Sequence, residues 1–183
     1  MKIRWGKRKK TIAEPGAHQG GDAGAGLTPS WLAEAEALRA RRPRGVLFVC
    51  LANAARSQMA EGIARSLAPP EVTVWSAGSF PAGVRSEAIE VLAEIGIDIS
   101  EHRSKSVDEI PADRVDTVIT LCAEGECPVF LGDVYRVHWE LPDPTGVGRT
   151  EADRLDAFRR TRDELQRRLA VVFAHGGPES RHS

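Results

Sequence analysis

Val46, Leu47, Phe48 and Val49 form an unbroken apolar run that ends at Cys50, and a helical pattern opens near Ser57. A strand that is apolar at every residue, rather than at every second one, is covered on both faces, as strands of parallel sheets are. This strand–loop–helix unit constrains the chain more than any other stretch. The connection reads Cys50-Leu51-Ala52-Asn53-Ala54-Ala55-Arg56-Ser57. Its spacer can curl so that successive backbone N–H groups point inward. The helix N-terminus adds partial positive charge, and Arg56 adds a planar fork of donors. That field favours the thiolate form of a cysteine at its centre. Ser57 can donate a hydrogen bond to the sulfur. Such a loop suits the capture of a tetrahedral oxyanion such as phosphate or arsenate, followed by attack on it.

The rest of the chain alternates strand and helix. The spacing predicts a helix over 57–67 with Met59, Ile63 and Leu67 inward, and a strand over 72–75. A helix follows over 85–95, burying Ala88, Val91, Leu92 and Ile95 and stopped by Gly96. Strands over 115–121 and 134–137 and a long charged helix over 151–173 complete the pattern. Alternation of this kind argues for a parallel sheet with helices on both faces.

Residues 1–27 carry a basic run, Lys7-Arg8-Lys9-Lys10, and then a Gly- and Ala-rich stretch without periodicity; they are expected to be a disordered tail. Residues 28–43 are expected to be a short helix and linker. Thr28 would be its N-cap and Pro29 its first residue, with Trp31, Leu32, Ala35 and Leu38 on one stripe. That helix either docks on the domain or bridges to it. The folded domain is expected over 44–175 and a second disordered tail over 176–183. The net charge of −1 and a basic run without aromatics give no case for nucleic acid. No run of 18 apolar residues exists to span a membrane, and no signal-type segment follows the basic start. Three cysteines in 183 residues do not make a disulfide scaffold. They fit catalytic thiols in a reducing compartment, so a cytoplasmic location is expected.

Several blocks resemble the arsenate reductases of the low-molecular-weight tyrosine phosphatase superfamily, above all the thioredoxin-coupled ones. They are Cys50 to Ser57 followed by Gln58-Met59-Ala60-Glu61-Gly62; Ser76-Ala77-Gly78; Gly96-Ile97-Asp98-Ile99-Ser100 with His102; Thr120-Leu121-Cys122 with Cys127-Pro128; and His138-Trp139 with Asp143-Pro144. The resemblance implies a three-layer flavodoxin-like fold with a four-stranded parallel sheet in the order 2-1-3-4. Cys50 and Cys122 would then lie at the carboxyl ends of adjacent strands, where open α/β sheets bind ligands; otherwise Cys122 is a packing residue of its strand.

The resemblance also implies a reaction. Cys50 attacks arsenate held by the amides of Leu51, Ala52, Asn53, Ala54, Ala55, Arg56 and Ser57 and by the Arg56 side chain. Asp143 acts as general acid, although Asp before Pro is also an ordinary turn former. Cys122 and Cys127 pass on a disulfide that thioredoxin reduces. Phosphate and sulfate are the expected competing oxyanions. The alternative is a low-molecular-weight protein tyrosine phosphatase hydrolysing phosphate esters through a phosphocysteine. Against it stand Gln58 and Thr145, where those enzymes carry proline and tyrosine, and a single tyrosine, Tyr135. No cofactor or metal site and no partner subunit are expected. Some relatives bind potassium at positions matching Asn53, Glu61, Ser76 and Lys105; here either the lysine ammonium takes the place of the ion or Lys105 points to solvent from Arg103-Ser104-Lys105. Asn53 suits a left-handed position. Ala52, where glycine is usual, either has negative φ or is strained. His102, His138 and Trp139 are expected to pack or to anchor loops.

Overall fold

β1 (Gly45–Cys50) is buried at every residue, as its apolar run requires. The computed structural model describes residues 29–123 and 132–174. Thr28, Cys127 and the segments 1–27 and 176–183 lie outside the described residues. β2 (Thr73–Gly78) and β3 (Thr117–Thr120) flank β1, and β4 (Tyr135–His138) lies beyond β3. All pairings are parallel and the order is β2-β1-β3-β4, the expected flavodoxin-like one. After β2 the chain crosses to the other side of β1. The loops leaving β1 and β3 therefore diverge and open a crevice at the carboxyl edge.

Alternation along β1 divides the core. Val46, Phe48 and Cys50 join one cluster with residues of α1 (Ser30–Arg41), α2 (Arg56–Leu67), α3 (Ser86–Ala93) and α4 (Glu151–Val172). Leu47 and Val49 face the other way, against Val107, Ile110 and Val115. Two 3₁₀ turns, Val107–Glu109 and Ala112–Arg114, form the helical cover of that face.

β2 runs three residues further than its apolar stretch suggests. Ser76, Ala77 and Gly78 are drawn into the sheet by pairing with Phe48, Val49 and Cys50, so context overrides propensity. α2 is buried over its first nine residues, Arg56 to Ala64, rather than along one stripe. Gly62 permits this, because a Cβ there would lie 2.7 Å from Ile99 and 2.9 Å from Leu92. α3 ends in a turn closed by Gly96 at φ 78°.

α1 begins at Ser30, so Pro29 occupies the N-cap, not the first turn, in an extended conformation. The helix docks rather than bridges. Ala35 and Leu38 are fully buried in the main core. Trp31 packs under the guanidinium groups of Arg167 and Arg168 at 4.9 and 5.5 Å, and Arg168 also reaches Trp139 at 5.7 Å.

Candidate functional site

The loop after β1 is shaped by where its carbonyls go. Leu51 O accepts from Phe80 N at 3.0 Å, Ala52 O from Ala82 N at 3.1 Å and Ala54 O from Arg85 N at 2.9 Å. Asn53 O accepts from Gln58 Nε2 at 3.1 Å and from Ser104 Oγ at 2.6 Å. Ala55 O takes Met59 N at 2.9 Å as the first bond of α2. A planar peptide points its C=O and the next N–H in opposite directions. Carbonyls held outward therefore turn the N–H groups of residues 52–56 inward, which is an anion-binding nest at a helix N-terminus.

Asn53 has φ 46°, the expected left-handed position. Among the described non-glycine residues only Arg42 and Asn53 have positive φ, so Ala52 is unstrained. Gly78 is required by close approach. A Cβ there would stand 2.6 Å from Asn53 N and 2.7 Å from Leu51 O, so β2 could not pass the loop with any other residue.

Cys50 is 3% exposed and a free thiol. Its Sγ lies 3.0 Å from Ser57 Oγ. That oxygen already accepts from Asn53 Nδ2 at 2.8 Å, so the Ser57 proton is available to the sulfur. Arg56, 5% exposed, is held from two loops, those after β3 and β4. Its Nη1 donates to Leu121 O at 3.3 Å and Leu141 O at 3.1 Å, and its Nη2 to Asp143 Oδ2 at 2.6 Å. Cys50, Arg56 and Asp143 thus converge on the carboxyl edge.

The loop carrying Asp143 is fixed at both ends. Leu141 N donates to Leu121 O at 3.2 Å. At the other end Thr150 and Asp153 form a capping box for α4. Cys122 is fully buried and disulfide-bonded, two residues past Thr120, which is paired with Val49.

Behind the loop, Glu61 is 1% exposed and takes three donors: Arg65 Nη2 at 2.5 Å, Lys105 Nζ at 3.1 Å and, very closely, the Ser76 hydroxyl. Lys105 therefore faces inward, and its backbone N–H donates to Asn53 Oδ1 at 2.7 Å. The positions matched to a potassium site do converge. A fixed ammonium nevertheless sits on the buried carboxylate, so this set does not fit a cation. Among the described residues no group of three or more His, Cys, Asp or Glu side chains is arranged to hold a metal.

Gln58 is the residue that sequence reasoning missed. It is fully buried, and Nε2 donates to Asn53 Oδ1 at 2.9 Å and Arg103 O at 2.9 Å, while Oε1 meets His102 Nδ1 at 3.0 Å. Burial is the largest influence on His102 and holds its imidazole below the ordinary range. His102 thus anchors a loop and Trp139 packs in the core, whereas His138 is 42% exposed and bonds Thr120 Oγ1 at 2.8 Å.

Residues 45–176 match the low molecular weight phosphotyrosine protein phosphatase family. The arsenate reductase of Halalkalibacterium halodurans is 40% identical over 134 residues, which is 72% of this chain and 96% of that protein. The crystal structure of an arsenate reductase from Archaeoglobus fulgidus superposes with a TM-score of 0.61 at 30% identity, covering 71% of this chain and 99% of that one. An arsenate reductase in its phosphate-binding state superposes with a TM-score of 0.60 at 34% identity, covering 72% and 97%.

Proposed function

The chain belongs to the low molecular weight phosphotyrosine protein phosphatase family, and we propose that, like the relatives named arsenate reductase, it reduces arsenate to arsenite. The inward amides of residues 52–56 and Arg56 hold the oxyanion. The Cys50 thiolate attacks arsenic, forming an S–As bond. One As–O bond breaks, and Asp143 protonates the departing oxygen. Cys122 then attacks the Cys50 sulfur. The S–As electron pair stays on arsenic, which leaves as arsenite while two thiolates become a Cys50–Cys122 disulfide. Attack by Cys127 on Cys122 frees Cys50 and leaves a Cys122–Cys127 disulfide. A dithiol protein, taken here as thioredoxin, reduces it by exchange. The chain acts as a monomer in the cytoplasm.

One observation carries this reading: a free Cys50 bonded by Ser57 inside the amide nest, beside a Cys122 that is already disulfide-bonded. That is the thiol pattern the relay leaves once Cys50 has been released. The loop alone serves phosphate-ester hydrolysis equally well; the further thiols are what favour reduction.

The test is arsenite release with thioredoxin, thioredoxin reductase and NADPH. Cys50→Ser is expected to abolish it, because a serine hydroxyl stays protonated where the amides favour a thiolate. Cys122→Ser and Cys127→Ser should each stop multiple turnover, with a Cys50–Cys122 bridge trapped in Cys127→Ser and seen by mass spectrometry. Unimpaired steady-state reduction in both variants removes the relay. Asp143→Asn should slow the single-turnover step by about 10²–10⁴-fold; an unchanged rate leaves Asp143 as a turn residue only.

A further inference from the structure

The carboxylate of Asp143 is divided between two tasks. Oδ2 accepts from Arg56 Nη2 at 2.6 Å, while Oδ1 accepts from Thr145 N at 2.9 Å and from Thr145 Oγ1 at 2.6 Å. The side chain is 48% exposed, so burial does not hold it. An exposed aspartate on a loop otherwise samples several rotamers. The backbone N–H contact is an ordinary Asx turn that most residues at position 145 would supply. The hydroxyl is the part that depends on the side chain.

We infer that Thr145 is a positioning residue, which pins the Asp143 carboxylate over Arg56 and fixes which of its oxygens faces the site. The inference rests on the reading of Asp143 as the acid in arsenate reduction. With Oδ1 taken by two donors, Oδ2 is the oxygen left to carry a proton when the acid is protonated, beside the arginine that holds the oxyanion. The same pin has a cost for binding. An oxyanion on Arg56 lies next to a carboxylate that cannot swing into solvent, and like charges that close repel. Thr145 therefore speeds the chemical step and weakens oxyanion binding, a pair of effects that a merely structural residue does not produce.

The experiment uses the full chain with Thr145→Val, Thr145→Ser, Asp143→Asn and the Asp143→Asn/Thr145→Val double variant. Sulfate affinity is measured by calorimetry at constant ionic strength, and arsenite formation in a single turnover. Thr145→Val is expected to bind sulfate about 2–5-fold more tightly and to react about tenfold more slowly, the loss of one hydrogen bond to a charged group, reduced by exposure. Thr145→Ser should restore both values. In the Asp143→Asn background, adding Thr145→Val should leave sulfate affinity unchanged. Sulfate binding in Thr145→Val that is unchanged or weaker overturns the inference, as does an affinity gain that persists without the Asp143 charge. If the wild type forms no arsenite, the proposed reaction falls, and the sulfate pattern still decides the role of Thr145.

Discussion

Lys105 ends 3.1 Å from a Glu61 carboxylate that is almost wholly out of water, and Arg65 reaches the same group. A buried carboxylate must be paired, and here it has two cations. A third positive charge in that pocket meets repulsion rather than an unfilled need. Wild-type reduction rates are therefore expected to match in potassium and in a bulky organic cation at equal ionic strength. Lys105→Asp replaces the ammonium with a second carboxylate, and potassium dependence should then appear. Clear potassium activation of the wild type rejects this account. The inward course of Lys105 was legible only as one of two alternatives, because sequence does not say whether a lysine in Arg103-Ser104-Lys105 faces in or out. Asn53 was legible, since few residues accept a left-handed position. Gln58 was not. A helical stripe through Met59 and Ile63 leaves Gln58 on the polar side, and only the loop folding back over α2 buries it.

α1 lies outside the span matched to the family, which begins at residue 45, yet it completes the core. Its stripe of Trp31, Ala35 and Leu38 was readable, but its partner was not. Trp31 packs on the guanidinium groups of Arg167 and Arg168, residues that a hydropathy pattern assigns to solvent. The docked helix packs into the main core, so its contribution is to stability. Leu38→Ala, at a fully buried position, should cost about 2–5 kcal/mol, measured by denaturant unfolding. Removal of residues 1–43 should lower the melting temperature by about 5–15 °C while leaving the turnover number of the folded enzyme near wild type. A melting temperature that does not move would mean that α1 contributes nothing to the core.

At the scale of the whole molecule, the sheet was the legible part. A strand apolar on every residue must lie inside a parallel sheet, and β1 does. The cover of its second face was not, since 3₁₀ turns of three residues carry no periodicity to read. Nor was the tie between α3 and α4. Glu94, one residue past α3, takes Arg159 Nη2 at 2.6 Å and Arg162 Nη1 at 2.6 Å. Arg162 also donates to Val91 O at 2.9 Å, so one buried arginine joins the helix end to the carboxylate. The Arg159 hydrogen bonds, followed by those of Arg162, hold the Glu94 carboxyl down at about 2, against an ordinary value of 4.5. A carboxyl held lower in the folded chain than in the unfolded one stabilises the fold above its unfolded value. That contribution is lost as the pH falls through the folded one. Glu94→Gln keeps the shape and removes the charge. Its melting temperature should lie below that of the wild type throughout the range above pH 4.5. The gap should narrow as the pH falls from 4.5 and close only below pH 2, once the folded-state carboxyl is protonated as well. Thermal unfolding of both proteins across that range reads the result directly, and a gap that stays constant with pH would assign the tie to shape rather than to charge.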